Sequence, residues 1–198
     1  MITDLRSRGA AALALAFAGC AASTHFVSNK SKDANPSPRR IYVASHLLDM
    51  RAGPNFGENF AGGFDARLTE DFKACGTEVL INEATGHDLD DGELTSRIES
   101  FKPDTVLMIH KTQWSVNRLG VLTNATYGFD FLEIPDKAGA RPGRKARPKA
   151  VWRSTMSFRP VDTMLSAWKT QGASVADDLV KRMQDDGFFP GCMLPRAK

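Results

Sequence analysis

The chain has 198 residues, 42% of them hydrophobic and 25% charged, which is enough apolar material for one sizeable core without requiring a second domain. Its formal charge is +3, and removing Arg6, Arg8 and Asp4 with a leader lowers it to +2, too near neutral to argue for a nucleic-acid partner. With 4 histidines, none in a spacing that forces a metal or catalytic role, no metal and no cofactor is expected.

Arg6 and Arg8 precede an apolar segment from Gly9 to Gly19. As a helix it would span only about 16 Å, half a bilayer core, so it cannot be a spanning anchor. A basic start, a short apolar run and small residues before a break describe a secretory signal peptide over 1–19. Phe17-Ala18-Gly19-Cys20 resembles the bacterial lipobox, with Phe17 standing where an aliphatic residue is usual. That resemblance implies that Cys20 is acylated and becomes the first residue of the mature protein. An ordinary signal peptide with an incidental cysteine is the alternative reading. Several acyl chains on one residue would hold the protein firmly in a membrane. Ala21, where an Asp would favour inner-membrane retention in lipoproteins of this kind, implies the outer membrane, periplasmic face.

Residues 20–39 are rich in Ser, Asn, Lys and Pro and read as the lipidated N-terminus and a flexible tether. A domain over 40–198 follows. "RRIYVASHLL" alternates as a first strand, with Ile41 and Val43 pointing one way and Tyr42 and Ala44 the other. Phe60, Phe64, Leu68 and Phe72 recur every fourth residue, the stripe of a helix on a sheet, and Gly76 is its stop. The glycines of "AGPNFGENFAGGF" read as a loop leading into that helix, with no phosphate-binding pattern.

"TEVLIN" is a second strand, and a β-α-β order with so short a turn favours a right-handed crossover. Asp90 and Glu93 form a capping-box pattern before a short helix whose Leu94, Ile98 and Phe101 share a face, ended by Lys102-Pro103. "TVLMIHKT" is a central strand. "YGFDFLEI" and "AVWRSTMSF" are two more, forming a hairpin. "SVADDLVKRMQDDGFF" closes the chain as a helix with Val175, Leu179 and Met183 on one stripe, Ser174 as its cap and Gly187 as its stop. The order β-α-β-α-β-β-β-α predicts an α/β (α+β) fold, a mixed sheet of about five strands with helices packed on it.

Few residues invite chemistry. His46 and His110 fall in or beside strands; His87 sits among Asp88, Asp90 and Asp91, but Glu93 stands where a calcium loop needs glycine. No serine lies in a nucleophile elbow. Cys75 and Cys192 form an even pair, candidates for a disulfide in an oxidising compartment, with two separate thiols as the alternative. Lys137, Arg141, Arg144, Lys145, Arg147 and Lys149 crowd between two predicted strands and could contact anionic lipid, glycan or an acidic protein; a loop kept soluble by its charge is the plainer reading.

The layout behind a lipobox is similar to that of small periplasmic lipoproteins that assemble envelope machines, including the curli-export lipoprotein family and the lipoprotein activators of penicillin-binding proteins. The resemblance implies a non-enzymatic scaffold or assembly partner, bound to the membrane through Cys20 and to another envelope protein. A lipid- or glycan-binding module using the basic 137–149 loop is the alternative.

Overall fold

The computed structural model describes residues 25–35, 37–49, 55–83, 91–118, 122–134, 148–160 and 165–194. From Arg40 onward the expected order is present, and one further strand precedes it. The elements are β1 (His25–Lys30), β2 (Arg40–Ser45), α1 (Phe56–Ala74), β3 (Glu78–Glu83), α2 (Asp91–Phe101), β4 (Thr105–Val116), β5 (Leu122–Glu133), β6 (Lys149–Phe158) and α3 (Leu165–Asp185). They form a six-stranded mixed sheet in the order β1-β6-β5-β4-β2-β3. β2 pairs in parallel with β3 and β4; the other pairs are antiparallel.

The parallel core of the sheet explains where the helices lie. α1 carries the chain outward from β2 to the edge strand β3, and α2 carries it back past β2 to β4. Connections of one hand that run in opposite directions place their helices on opposite faces. α1 and α3 accordingly share the larger core with Ile41, Val43, Leu107, Phe129 and Phe131, while α2 covers Tyr42, Ala44 and Val106 with Ile98 and Phe101. The predicted stripe of Phe60, Phe64, Leu68 and Phe72 is fully buried, each side chain contributing about 1.5–3 kcal/mol.

α1 and α3 run in the same direction, with Phe56 packing on Trp168, Arg67 pairing with Asp177, and Cys75 bonded to Cys192. Two glycines let them approach closely. A Cβ at Gly63 would fall on the Lys169 carbonyl and one at Gly172 on the Phe60 carbonyl. Both helices then stop as predicted. Gly76 and Gly187 adopt positive φ (74° and 82°). The residue after each glycine donates back to the final turn, Thr77 to Phe72 and Phe188 to Met183, both at 2.9 Å, which satisfies carbonyls that helix ends otherwise leave open.

Three expectations change. Gly57, Gly62 and Gly63 lie inside α1 rather than in a loop before it, because Phe56 already docks, its ring 5.7 Å from Phe60. α3 starts at Leu165, so Ser174 is an exposed mid-helix residue and not the cap; Trp168 and Gly172 extend the apolar stripe backwards. The tether assigned to 20–39 is largely folded structure. β1 lies along β6 from His25↔Ser157 to Lys30↔Trp152. The residues after it cross the end of the sheet as a strap: Ser31 N–H donates to the Val151 carbonyl, Asn35 N–H to Glu133 Oε1, Arg39 N–H to Asp104 Oδ2, and Thr77 Oγ1 to the Pro38 carbonyl. The segment is polar because only one side of it is covered; Phe26 supplies the apolar contact, 6.0 Å from Phe129.

Candidate functional site

The predicted lipidation residue, Cys20, lies outside the described residues, as does His87. The chain enters the structure at His25, and a polar clamp holds the strand that begins there. Asp186 Oδ2 accepts from Ser28 Oγ at 2.5 Å and from Trp152 Nε1 at 2.7 Å. Arg182 Nε donates to Ser28 Oγ at 2.7 Å and its Nη2 pairs with Asp186 Oδ1 at 3.2 Å. Lys30 Nζ donates to the Gly187 carbonyl and sits 4.2 Å over the Phe188 ring. Hydrogen bonds to charged partners are the strong kind, so β1 is tied to the end of α3 as well as to β6.

His25 marks one end of the sheet, in the row His25, Ser157, Thr126, Gln113. β4 and β5 run on past that row as a two-stranded hairpin, with Val116 about 10 Å further out than Gln113. A register shift between Lys111 and Gln113 resets the alternation, which puts Lys111 and Trp114 on one face, the ammonium 4.0 Å above the indole. Trp114 is 41% exposed and Val116 52%. From Thr105 to Phe129 the sequence has no Asp or Glu.

Of the basic loop, Lys149 alone falls among the described residues, 3.6 Å from Asp33; Lys137, Arg141, Arg144, Lys145 and Arg147 lie outside them. The strands that flank the loop end at Glu133↔Lys149. Along β5 that pair stands seven residues from Thr126, about 23 Å, so the loop leaves the sheet at the end opposite His25. At that same end Cys75 and Cys192 are joined in a disulfide, beside a cleft of about 450 Å³ lined by Pro38, Gly76 and Pro190 among others. Of the two readings left open for these thiols, the bridge is the one formed.

Two carboxyl groups that sequence reasoning missed meet near the His25 end. Asp65 of α1 and Glu83 at the end of β3 share a hydrogen bond; burial, then the neighbouring charge of Glu83, pushes Asp65 up to about 8. Glu83 is also raised by burial, against the opposing effect of the Ser45 hydroxyl and the Leu48 N–H, the latter 3.3 Å from Oε2. Burial thus favours a proton on this pair. Between α1 and α3, Arg67 is shared by Glu70, Asp71 and Asp177. Fully buried Asp71 is raised to about 7, by burial first and by Asp177 and Glu70 after it, with Arg67 opposing. No signal in the sequence joins Asp65 to Glu83, since they belong to different elements; for Trp114 the signal was an indole among polar residues in "TQWSV".

His46 N–H donates to the Ile109 carbonyl. The His110 ring lies over Gly128, where a Cβ would stand 2.5 Å from Nε2, so the glycine makes room for the imidazole. Among the described residues, no group of three or more His, Cys, Asp and Glu could hold a metal ion.

No protein-family model matches the chain, and no curated protein is significantly similar to it. Solved structures with a similar course of the chain include the PelC dodecamer from Paraburkholderia phytofirmans (TM-score 0.41, 14% identity, covering 79% of this chain and 97% of that one). A DUF4136 family protein from Bacteroides thetaiotaomicron is comparable (TM-score 0.39, 11% identity, 84% and 98%). Lipoprotein GNA1162 from Neisseria meningitidis is more distant (TM-score 0.33, 12% identity, 73% and 99%).

Proposed function

We propose that this protein is a non-enzymatic bacterial lipoprotein, anchored through Cys20 to the periplasmic face of the outer membrane, where it serves as a scaffold or assembly partner for another envelope protein. The observation that carries this reading is the clamp on β1. Only Ala21 to Thr24 separate Cys20 from His25, so at most about 17 Å of extended chain joins the lipid-bearing residue to a fixed strand. A body held that close to a bilayer has a defined orientation, which a scaffold needs and a long tether would not supply. Among the described residues no helix is long and apolar enough to cross a membrane, so the acyl chains are the anchor in this reading.

The non-enzymatic part of the reading is supported by what the polar groups already do. The thiols at 75 and 192 are bonded to each other, and the Asp65–Glu83 pair is engaged with its own backbone and Ser45. The strands that flank the basic loop end at the side of the sheet remote from His25, so on this orientation the loop departs from the side away from the anchoring bilayer. Its partners are then carboxylates of an envelope protein or of peptidoglycan rather than the headgroups next to Cys20.

The test is metabolic labelling with a clickable palmitate, read together with the intact mass of the mature protein. Wild type should start at acylated Cys20 and fractionate with outer membranes, and Cys20→Ala should lose the label and the membrane association. A mature protein that begins elsewhere, or carries an unmodified Cys20, would sink the proposal.

A further inference from the structure

Resting on the lipid-anchor reading, we propose that the β4–β5 hairpin is a second contact with the bilayer, seating Trp114 and Val116 at the boundary between headgroups and acyl chains. The position of the chain outside the structure selects this occupant. Cys20 lies within about 17 Å of His25, and among the described strands it is this hairpin that runs on beyond the row of His25, reaching Val116 about 10 Å further. The acyl chains and the hairpin end therefore meet the same surface.

The chemistry of the hairpin suits a lipid interface. Trp114 and Val116 are exposed although both are apolar, and an indole, with one apolar body and one N–H donor, partitions to the level of the headgroups. Lys111 holds its ammonium 4.0 Å over the indole face, which sets a cation at the depth of the ring, the level at which lipid phosphates lie. Arg118 is exposed on the same hairpin, and the absence of Asp and Glu from Thr105 to Phe129 leaves nothing there to repel anionic lipid.

The full-length acylated protein, reconstituted into vesicles of phosphatidylethanolamine and phosphatidylglycerol with and without brominated acyl chains, tests the assignment. Trp152 and Trp168 are buried in the core and provide an internal reference. Brominated lipid should quench part of the tryptophan emission in the wild type, and Trp114→Phe should abolish that part while Cys20 remains acylated by mass. Acylated protein whose Trp114 is quenched by aqueous acrylamide and not by brominated lipid would overturn the hairpin contact and leave the anchor intact. Shielding of Trp114 from both quenchers would also overturn it, since a protein surface would then cover the indole. An unmodified Cys20 would remove the anchor reading and this inference together.

Discussion

The two ends of the sheet are built differently. At the end where β2 begins, the disulfide joins α1 to the C-terminal segment, two glycine caps close the helices, and the strap of residues 31–35 and 37–39 hydrogen-bonds from strand to strand. Phe72, Phe188 and Phe189 pack beside the bridge, with ring centroids 5.4 and 6.3 Å apart. At the His25 end two strands project alone, an indole and a valine are left exposed, and a pair of carboxyl groups shares a proton. The covalent bridge and the helix caps are concentrated at the first end, and the projecting hairpin with Trp114 and Val116 at the other.

The largest expected effect comes from opening the closed end. Replacing both cysteines, Cys75→Ser with Cys192→Ser, removes a closure of 117 residues, which loop entropy values at about 4–5 kcal/mol. Calorimetry should show the midpoint falling by roughly 10–15 °C, and reductant should do the same to the wild type. A change below about 1 kcal/mol would mean that the strap and caps fix that end without the bridge.

A smaller and more local effect is expected at the clamp. Asp186→Ala leaves Ser28, Trp152 and Arg182 without their shared acceptor, at about 1–3 kcal/mol for buried polar groups left unsatisfied. Hydrogen exchange should show β1 amides losing protection while β4 amides keep theirs, which separates release of β1 from general unfolding. Equal loss in both strands would show that β1 belongs to the cooperative core.

A third effect concerns pH. Asp65 and Asp71 hold their protons more tightly folded than unfolded, at about 8 and about 7 against 3.8. Folding therefore takes up protons between those values, so the stability from these groups is full below about 4 and is lost as pH rises through 7 to 8. Thermal midpoints should be lower at pH 8 than at pH 5, and Asp65→Asn should remove part of that slope. A midpoint that rises over this interval would refute the shared proton.

What the sequence made legible was whatever repeats locally. The Phe60, Phe64, Leu68 and Phe72 stripe, the alternation of β2 and the two stop glycines all report on neighbours within a turn or two, and all are present. β1 was misread because its partners lie far away: Ser28 meets Asp186 across 158 residues, and no local pattern encodes that. β4 runs on to Val116 past its predicted end because the shift at Thr112 breaks the alternation on which a strand is recognised. The candidate site divides in the same way. Cys20 and the cysteine pair are visible as motif and parity, while the Trp114 hairpin and the Asp65–Glu83 pair exist only once separate elements are brought together.

The direction of β1 has a mechanical consequence. Traction on the polypeptide upstream of His25 acts along the axis of a strand hydrogen-bonded over its whole length to β6. All of those bonds, with the Asp186 contacts, then resist simultaneously in shear, instead of parting one after another as they would if peeled sideways.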